Sequence, residues 1–249
     1  IQKALPHGPY AFNLLHNPYL ADDEMALVDL YLKHRIRTVE AAAYIAPSAA
    51  LAYYRIAGLY KKKDGRTGAK NKIIAKISRQ EVAAKFMQPV SGMLVSQLVG
   101  ANKITAGQAE MARSIPFADD ITVEADSGGH TDNRPLVSLL PAVTAIRDRI
   151  QQAYPYDRKI RVGAAGGIGT PHSALAAFDM GADYIVTGSI NQSCIESGTS
   201  QKARELLARA EMADVMMAPS ADMFEMGAKV QVLKRGTMFP LVAQKLHKL

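Results

Sequence analysis

The feature that most constrains the fold is an alternation of short apolar strand patterns with amphipathic helix patterns along most of the chain. Strands are predicted at 10–15, 37–41 and 72–77 and near 121, 160 and 184. Helices are predicted at 22–33, 48–59, 80–86, 136–154 and 173–180. Strands that alternate with helices in this way are typical of units whose strands pair in parallel while the helices cover the sheet. The chain is therefore predicted to be an α/β protein.

Two successive strands late in the chain end in glycine turns, and these turns narrow the predicted fold class. One strand runs into Gly166 and Gly167, and the next runs into Gly188 and Ser189. Glycine lets the backbone approach a bound group closely, and a helix that begins near Pro171 adds its positive end. A TIM (β/α)8 barrel binds phosphate with turns of this kind. The pattern predicts this fold and a phosphorylated cofactor, with an open doubly wound sheet as the alternative.

The predicted barrel departs from the regular pattern in three places. About six strands can be counted, whereas a closed barrel has eight, so the barrel is predicted to lack its first two strand-helix units and to come from a longer parent chain. Residues 89–116 are predicted to be a helical insertion near the active-site face. Residues 226–233 are predicted to be a helix under the barrel or a capping element. No low-complexity linker divides the sequence, so 1–249 is predicted to be a single domain.

Composition and charge argue against several classes of protein. The apolar runs are too short for a membrane span and no signal segment opens the sequence, so a cytoplasmic protein is predicted. A single cysteine, Cys194, rules out an internal disulfide. The net charge of +7 does not predict nucleic-acid binding, because no basic stripe with interleaved aromatic residues accompanies it. Spacing typical of a metal site is also missing from the sequence.

One cluster of basic residues surrounds a glycine-containing loop. It consists of Lys61–Lys63, Arg66, Lys70 and Lys72. Such a cluster is either a solvated loop or an electrostatic docking surface for an acidic partner, such as an acyl carrier protein, or for a phosphate group.

Polar side chains crowd the loop that follows the strand near 121. A histidine at the C-terminal end of a strand is placed for proton transfer or for hydrogen bonding to a reacting carbonyl, so His130 is the candidate catalytic residue. Asp126 or Glu124 is expected to set its charge. His16, which follows the first strand, is a weaker second candidate.

Lys76 lies within an otherwise apolar strand, where a lysine is costly to bury unless it meets an anion. Two explanations stay open for it. One is a structural ion pair with Glu40 or Glu124, and the other is a contact with a cofactor.

With these residues assembled, the chain resembles a known family along most of its length. The segments that carry the resemblance are 13–18, 39–41, 74–78, 123–135, 164–171, 186–192 and 218–227. They are similar to the flavin-dependent enoyl reductases of the nitronate monooxygenase superfamily. The segment His130–Pro135 is more specific and resembles the trans-acting enoyl reductases of polyunsaturated fatty acid and polyketide synthases.

The resemblance implies a single FMN-binding barrel with the cofactor at the C-terminal ends of the strands. It implies that Gly166, Gly167, Gly188 and Ser189 hold the phosphate. It places Asn13 against the flavin, Lys76 near its pyrimidine end and His130 beside it. The same resemblance assigns Glu124, Gly128 and Gly129 to cofactor binding.

The activity that the resemblance implies is enoyl reduction. NADPH would reduce FMN, and a hydride would then pass to the β-carbon of a trans-2-enoyl thioester on an acyl carrier protein. The alternatives are a nitronate monooxygenase that uses FMN and oxygen, and a non-catalytic docking subunit of a megasynthase. Expected partners are the carrier protein and other synthase subunits, with a homodimer possible and no nucleic-acid or membrane partner.

Overall fold

The structure is a computed structural model, and it describes residues 1–6, 8–17 and 20–248. Pro18, which ends the first family-like segment, lies outside the described residues. The chain divides into two compact units. The first consists of Ile1–Val123 and Pro141–Val162, and the second of Glu124–Leu140 and Gly163–Leu249. The expectation of a single domain stays a prediction.

Ten strands are described. They are β1 (Phe12–Leu15), β2 (Thr38–Ala42), β3 (Leu59–Lys61), β4 (Thr67–Ala69), β5 (Lys72–Ile77), β6 (Asp120–Glu124), β7 (Arg161–Ala165), β8 (Tyr184–Val186), β9 (Val215–Pro219) and β10 (Lys229–Leu233).

Ten α-helices are described beside them. They are α1 (Ala21–Lys33), α2 (Ala49–Ala57), α3 (Gln80–Met87), α4 (Gly92–Gly100), α5 (Ala106–Met111), α6 (Leu136–Ala153), α7 (Pro171–Asp179), α8 (Ser189–Gln192), α9 (Gln201–Ala208) and α10 (Phe239–Leu246). Helices α4 and α5 occupy the predicted helical insertion. Over the ranges that the structure describes, no helix is both long enough and apolar enough to cross a bilayer.

The main sheet has six strands in the order β1-β2-β5-β6-β7-β8. The pairs β1–β2, β2–β5, β5–β6 and β7–β8 are parallel. This confirms the predicted α/β class with a parallel sheet.

Side-chain alternation gives the sheet of the first unit two different faces. Residues Leu14, Ala41, Ala75 and Ile121 form one row across four strands and are buried. Successive residues of a strand point to opposite faces, so their neighbours along each strand form a second face. That second face includes Asn13, which pairs with Glu40, and Lys76, which pairs with Thr122. The apolar face supplies the core, and the other face is left for polar side chains.

Two parts of the chain form strands where none were predicted. The basic loop contains a hairpin in which β3 pairs with β4. The prediction of a helix at 226–233 is wrong, because β10 pairs antiparallel with β9. Valines alternate with Lys229 and Gln231 in β10, and a period of two with β-branched residues favours a strand.

Candidate active site in the loop after β6

The loop that follows β6 is organised around the carboxylate of Asp126. That carboxylate accepts hydrogen bonds from Asn133 Nδ2 at 2.9 Å, Thr131 Oγ1 at 3.3 Å and Gln231 Nε2 at 3.1 Å. The Asp126 N–H donates to the carbonyl of Arg134 at 2.8 Å. Many of the polar side chains in this loop therefore stabilise the conformation of the loop.

The glycine pair inside the loop is tied to the β9–β10 hairpin. The Gly129 N–H donates to the carbonyl of Gln231 at 2.9 Å, and the Gln231 N–H donates to the carbonyl of Gly129 at 2.7 Å. Gly129 has a φ of +87°, a conformation that favours glycine. These two bonds fix the backbone next to His130.

His130 is held at the open side of this loop by two residues that follow β9. His130 Nε2 lies 3.3 Å from Ser220 Oγ and 3.9 Å from Asp222 Oδ1. Ser220 is 1% exposed, whereas the His130 side chain is 51% exposed, so one edge of the ring is anchored while much of the ring stays accessible. The Ser220 hydroxyl also donates to the carboxylate of Asp222, and this hydrogen bond lowers the pKa of Asp222.

The carboxylate that faces His130 was therefore not found from the sequence. Asp126 or Glu124 was expected to set the charge of His130. The hydrogen bonds described for Asp126 go to Thr131, Asn133 and Gln231, and the carboxylate beside the ring is Asp222. Glu124 lies half-buried at the end of β6. The segment 218–227 had been singled out as family-like, and it was the available signal for Ser220 and Asp222.

Replacing Ser220 with alanine is expected to lower kcat of a reaction that uses the His130 ring by about fivefold, because one hydrogen bond of about 1 kcal/mol no longer fixes the ring. Asp222 also loses the bond that lowers its pKa, so this pKa should rise towards its ordinary value, and the acid limb of the kcat profile should move to higher pH. Steady-state kinetics from about pH 3 to 9 would check this, with Ser138→Ala as an exposed serine control. An unchanged profile would contradict it.

In the first glycine turn, Gly166 and Gly167 have different surroundings. A Cβ on Gly166 would lie 2.7 Å from the carbonyl oxygens of both Ala125 and Asp126, and its φ is +92°. Gly166 is thus required by the close approach of two backbones. A Cβ on Gly167 would meet nothing within 4 Å, which leaves open space above this turn.

The second turn comes close to the loop after β6. A Cβ on Gly128 would lie 3.0 Å from Ser189 Oγ, and the Cβ position of Gly188 is open. Of the predicted cofactor-binding residues of the second unit, the structure thus brings Gly128 close to Ser189. It also sets the Gly166 turn against the start of the same loop.

One buried polar atom in the loop after β6 has no hydrogen-bond partner among the described residues. Ser127 Oγ is buried and has no hydrogen-bond partner within the described part of the chain. A buried hydroxyl without a hydrogen bond costs free energy, so this position fits a bound polar group. Together with the open turns, it marks where a phosphorylated cofactor could lie in the second unit.

In the first unit, the predicted cofactor contacts share the polar face of the sheet. The Asn13 side chain is exposed, and it makes no hydrogen bond within the described residues. Lys76 Nζ lies 3.8 Å from Glu40 Oε1, and about a quarter to a third of each side chain is exposed. The structure therefore supports the ion-pair explanation of Lys76 with Glu40. Because both groups keep exposure, a cofactor contact by Lys76 stays a prediction.

The weaker candidate, His16, belongs to a buried network in the first unit. Its Nδ1 lies 2.7 Å from Glu24 Oε2, and its ring stacks on Tyr44 with centroids 4.8 Å apart. Glu24, which is 5% exposed, also accepts from the hydroxyls of Tyr44 at 2.8 Å and of Ser48. Burial raises the pKa of Tyr44, so its hydroxyl remains a donor to this carboxylate.

Replacing Glu24 with glutamine is expected to lower the free energy of unfolding by about 1–2 kcal/mol, because charge-assisted hydrogen bonds become neutral ones and one acceptor oxygen is lost. Urea denaturation near neutral pH would measure the change. The matched control is Asp22→Asn in the same helical turn, whose side chain is exposed. Equal effects of the two substitutions would contradict a network centred on Glu24.

Comparison with known proteins adds to this geometry. No family model matches the chain. It is 49% identical to polyketide biosynthesis protein PksE of Bacillus subtilis over 250 residues, which is all of this chain and 33% of that protein. It is also 49% identical to a polyunsaturated fatty acid synthase component of Thraustochytrium sp. over 251 residues, which is all of this chain and 17% of that protein. The chain thus spans a third or less of the length of these two curated relatives.

A solved structure agrees with the sequence relatives. The enoyl reductase domain of MlnA, from the macrolactin biosynthesis cluster of Bacillus amyloliquefaciens, superposes with a TM-score of 0.93 and is 46% identical. The match covers 99% of this chain and 56% of that chain. In sequence and in fold, the chain is therefore similar to these polyketide and polyunsaturated fatty acid synthase components. This confirms the narrower of the two resemblances drawn from its sequence.

More distant structures share the fold of this chain. FabK from Thermotoga maritima has a TM-score of 0.58 at 20% identity, covering 97% of this chain and 58% of that chain. Nitroalkane oxidase from Streptomyces ansochromogenes has a TM-score of 0.56 at 17% identity, covering 93% and 63%. At these identities the likeness concerns the fold alone. The structural neighbours are TIM-barrel enzymes, which confirms the predicted α/β barrel class.

Proposed function

We propose that this chain forms the flavin-binding barrel of an enoyl reductase. It would use NADPH, through FMN, to reduce a trans-2-enoyl thioester on an acyl carrier protein during polyunsaturated fatty acid or polyketide biosynthesis. The observation that carries the proposal is the likeness to the enoyl reductase domain of MlnA over almost the whole chain. The site in the loop after β6 supplies chemistry that suits this reaction.

The second unit fits the phosphate and polar edge of FMN. The open Cβ positions of Gly167 and Gly188 leave the backbone accessible, and Ser189 lies beside Gly128. Ser127 Oγ is buried and lacks a partner among the described residues, so it offers a hydrogen bond to the cofactor. Helix α7 begins after Thr170, which caps it, and its N-terminal end favours a negative charge.

In the first unit, Asn13 and Lys76 suit the flavin ring. Asn13 presents an exposed amide, and Lys76 would stabilise negative charge on a reduced ring while Glu40 keeps it in place. When bound, FMN would supply the centre that accepts a hydride from NADPH and donates it to the enoyl β-carbon.

His130 would act on the thioester itself. The accessible ring can donate a hydrogen bond to the thioester carbonyl, where negative charge develops as the β-carbon is reduced, or deliver the proton to the α-carbon. Ser220 sets the orientation of the ring, and the charge of Asp222 would stabilise a positive charge that forms on it. This gives His130 the catalytic role and gives Ser220 and Asp222 positioning roles.

The partners follow from the same proposal. The curated relatives are named as components of polyunsaturated fatty acid and polyketide biosynthesis, so the chain would work with other synthase subunits and a carrier protein. Association into a homodimer remains a prediction.

The test is the product formed from each class of substrate. Purified protein loaded with FMN would be incubated with NADPH and a crotonyl pantetheine thioester, and in parallel with an alkyl nitronate and oxygen. Mass spectrometry should detect the saturated thioester, with NADPH consumed in equal amount. Nitronate oxidation without thioester reduction would replace the proposal with the monooxygenase alternative. Failure to bind FMN would favour the docking subunit.

A further inference from the structure

A large basic cleft lies in the first unit. Its volume is about 930 Å³, and the β3–β4 hairpin forms one wall. The opposite wall comes from residues 155–161, which lead into β7. We refer to it as the hairpin cleft.

The hairpin cleft concentrates the positive charge of the chain. Its lining contains eight Lys and Arg residues and three Asp residues, which leaves an excess of five positive charges, against a net charge of +7 for the whole chain. Three of these cations are exposed and lie within 4 Å of no carboxylate in the described residues. They are Lys61 on β3, Lys72 at the start of β5, and Arg158 before β7.

Side-chain contacts hold the β3–β4 wall of the hairpin cleft in place. Thr67 Oγ1 lies 2.8 Å from Ser114 Oγ, which ties the hairpin to the turn after α5. The ring of Tyr60 packs on Gly68 so closely that a Cβ there would lie 2.5 Å from it. Lys70 Nζ sits 5.5 Å from the centroid of the same ring. These contacts hold in place the hairpin that carries Lys61.

One carboxylate of the chain already pairs with cations of the hairpin. Asp157, which belongs to the wall formed by residues 155–161, has its Oδ2 at 3.2 Å from Arg66 and 3.5 Å from Lys62. The three unpartnered cations come from three different parts of the chain, namely β3, the start of β5 and the segment before β7. Cations that are spread along a cleft suit carboxylates spread along a polypeptide.

The position of the hairpin cleft argues against a role in delivering the thioester substrate to the flavin. It includes Lys72, Asp120 and Arg161, the first residues of β5, β6 and β7. Lys76 lies four residues further along β5, about 13 Å away at ~3.3 Å per residue. Active sites of TIM barrels lie at the C-terminal ends of the strands, and side chains fill the barrel interior. In the proposed barrel, a thioester arm that entered from this face would have to pass through the filled interior to reach the flavin.

We propose that the hairpin cleft docks an acidic polypeptide segment of another synthase subunit, and that it holds the enzyme in the assembly without delivering its substrate. This inference rests on the proposed function in taking the partner to be a synthase subunit and in placing the flavin at the C-terminal ends of the strands.

The test uses a charge-reversed cleft and a matched control. The cleft variant is Lys61→Glu, Lys72→Glu, Arg158→Glu. The control variant, Lys202→Glu, Arg209→Glu, Lys245→Glu, makes the same charge change at exposed residues of the second unit. Anisotropy of a fluorescein-labelled, glutamate-rich peptide would report binding at physiological salt. The cleft variant should bind the peptide at least about tenfold more weakly than the wild type, and the control should match the wild type.

Three results would overturn the proposal. The first is an equal loss of peptide binding in both variants, which would indicate general charge attraction. The second is tighter binding of an oligothymidylate or of inorganic phosphate to the cleft. The third is a raised KM for a carrier-bound enoyl thioester, but not for the pantetheine thioester, in the cleft variant, which would make the cleft the dock of the substrate carrier. Wild-type protein that binds the peptide through the cleft but reduces no thioester would instead refute the proposed function alone.

Discussion

Replacing His130 with alanine should lower kcat/KM for reduction of a trans-2-enoyl thioester by about 10²–10⁴-fold, the usual contribution of a positioned acid or hydrogen-bond donor. The reason is geometric. His130 Nε2 is fixed by Ser220 at 3.3 Å, while half of the side chain stays exposed to a substrate. None of the hydrogen bonds that shape the loop through Asp126 involves the imidazole, so the loop should survive the substitution.

The measurement requires the flavin content of the variant, taken from its visible absorbance, together with thioester turnover. Reduction of the flavin by NADPH should proceed at the wild-type rate, because the acyl substrate takes no part in that step. His34→Ala is the control, since His34 is an exposed histidine of the first unit. A His130→Ala protein with full flavin and undiminished turnover would remove the catalytic role.

Replacing Gly166 with alanine should lower the free energy of unfolding by about 2–5 kcal/mol, the sum of two costs. A residue with a side chain costs about 1–2 kcal/mol at a φ near +92°. The new Cβ would also lie 2.7 Å from two backbone oxygens, and overpacking of this kind costs about 1–3 kcal/mol more. Because those oxygens belong to Ala125 and Asp126, the clash would also displace the loop that carries His130.

Gly181 provides the matched control for this prediction. Its φ is +95°, but a Cβ there would meet nothing within 4 Å, so Gly181→Ala should show the conformational cost alone. Urea denaturation of the two variants would separate that cost from the clash. Equal destabilisation would show that backbone packing at Gly166 is unimportant.

The main sheet was predictable from the sequence because its signals are local. Each of its strands is a short apolar run beside an amphipathic helix. The turns after β7 and β8 can be recognised from their glycines in the sequence. The strand at 229–233 was missed because its valines follow a methionine-rich stretch that reads as helix. Its strand character depends on pairing with β9, which is not a local property.

The surroundings of His130 could not be predicted for the same reason. Ser220, Asp222 and Gln231 lie about ninety or more positions further along the chain, and the fold brings them to the loop. The sequence-based expectation named two carboxylates close to His130 in the chain, Asp126 and Glu124. For Lys76, both possible ion-pair partners could be named from the sequence, and the structure shows the contact with Glu40 at 3.8 Å.

The most direct test of the enoyl reductase account is an anaerobic spectral titration of the FMN-loaded protein. The flavin absorbance should bleach when NADPH is added, and it should recover when a trans-2-enoyl thioester is added without oxygen. Recovery that matches the amount of saturated product would establish electron flow from NADPH through the flavin to the double bond. A flavin that bleaches but recovers only when oxygen is admitted would contradict the account.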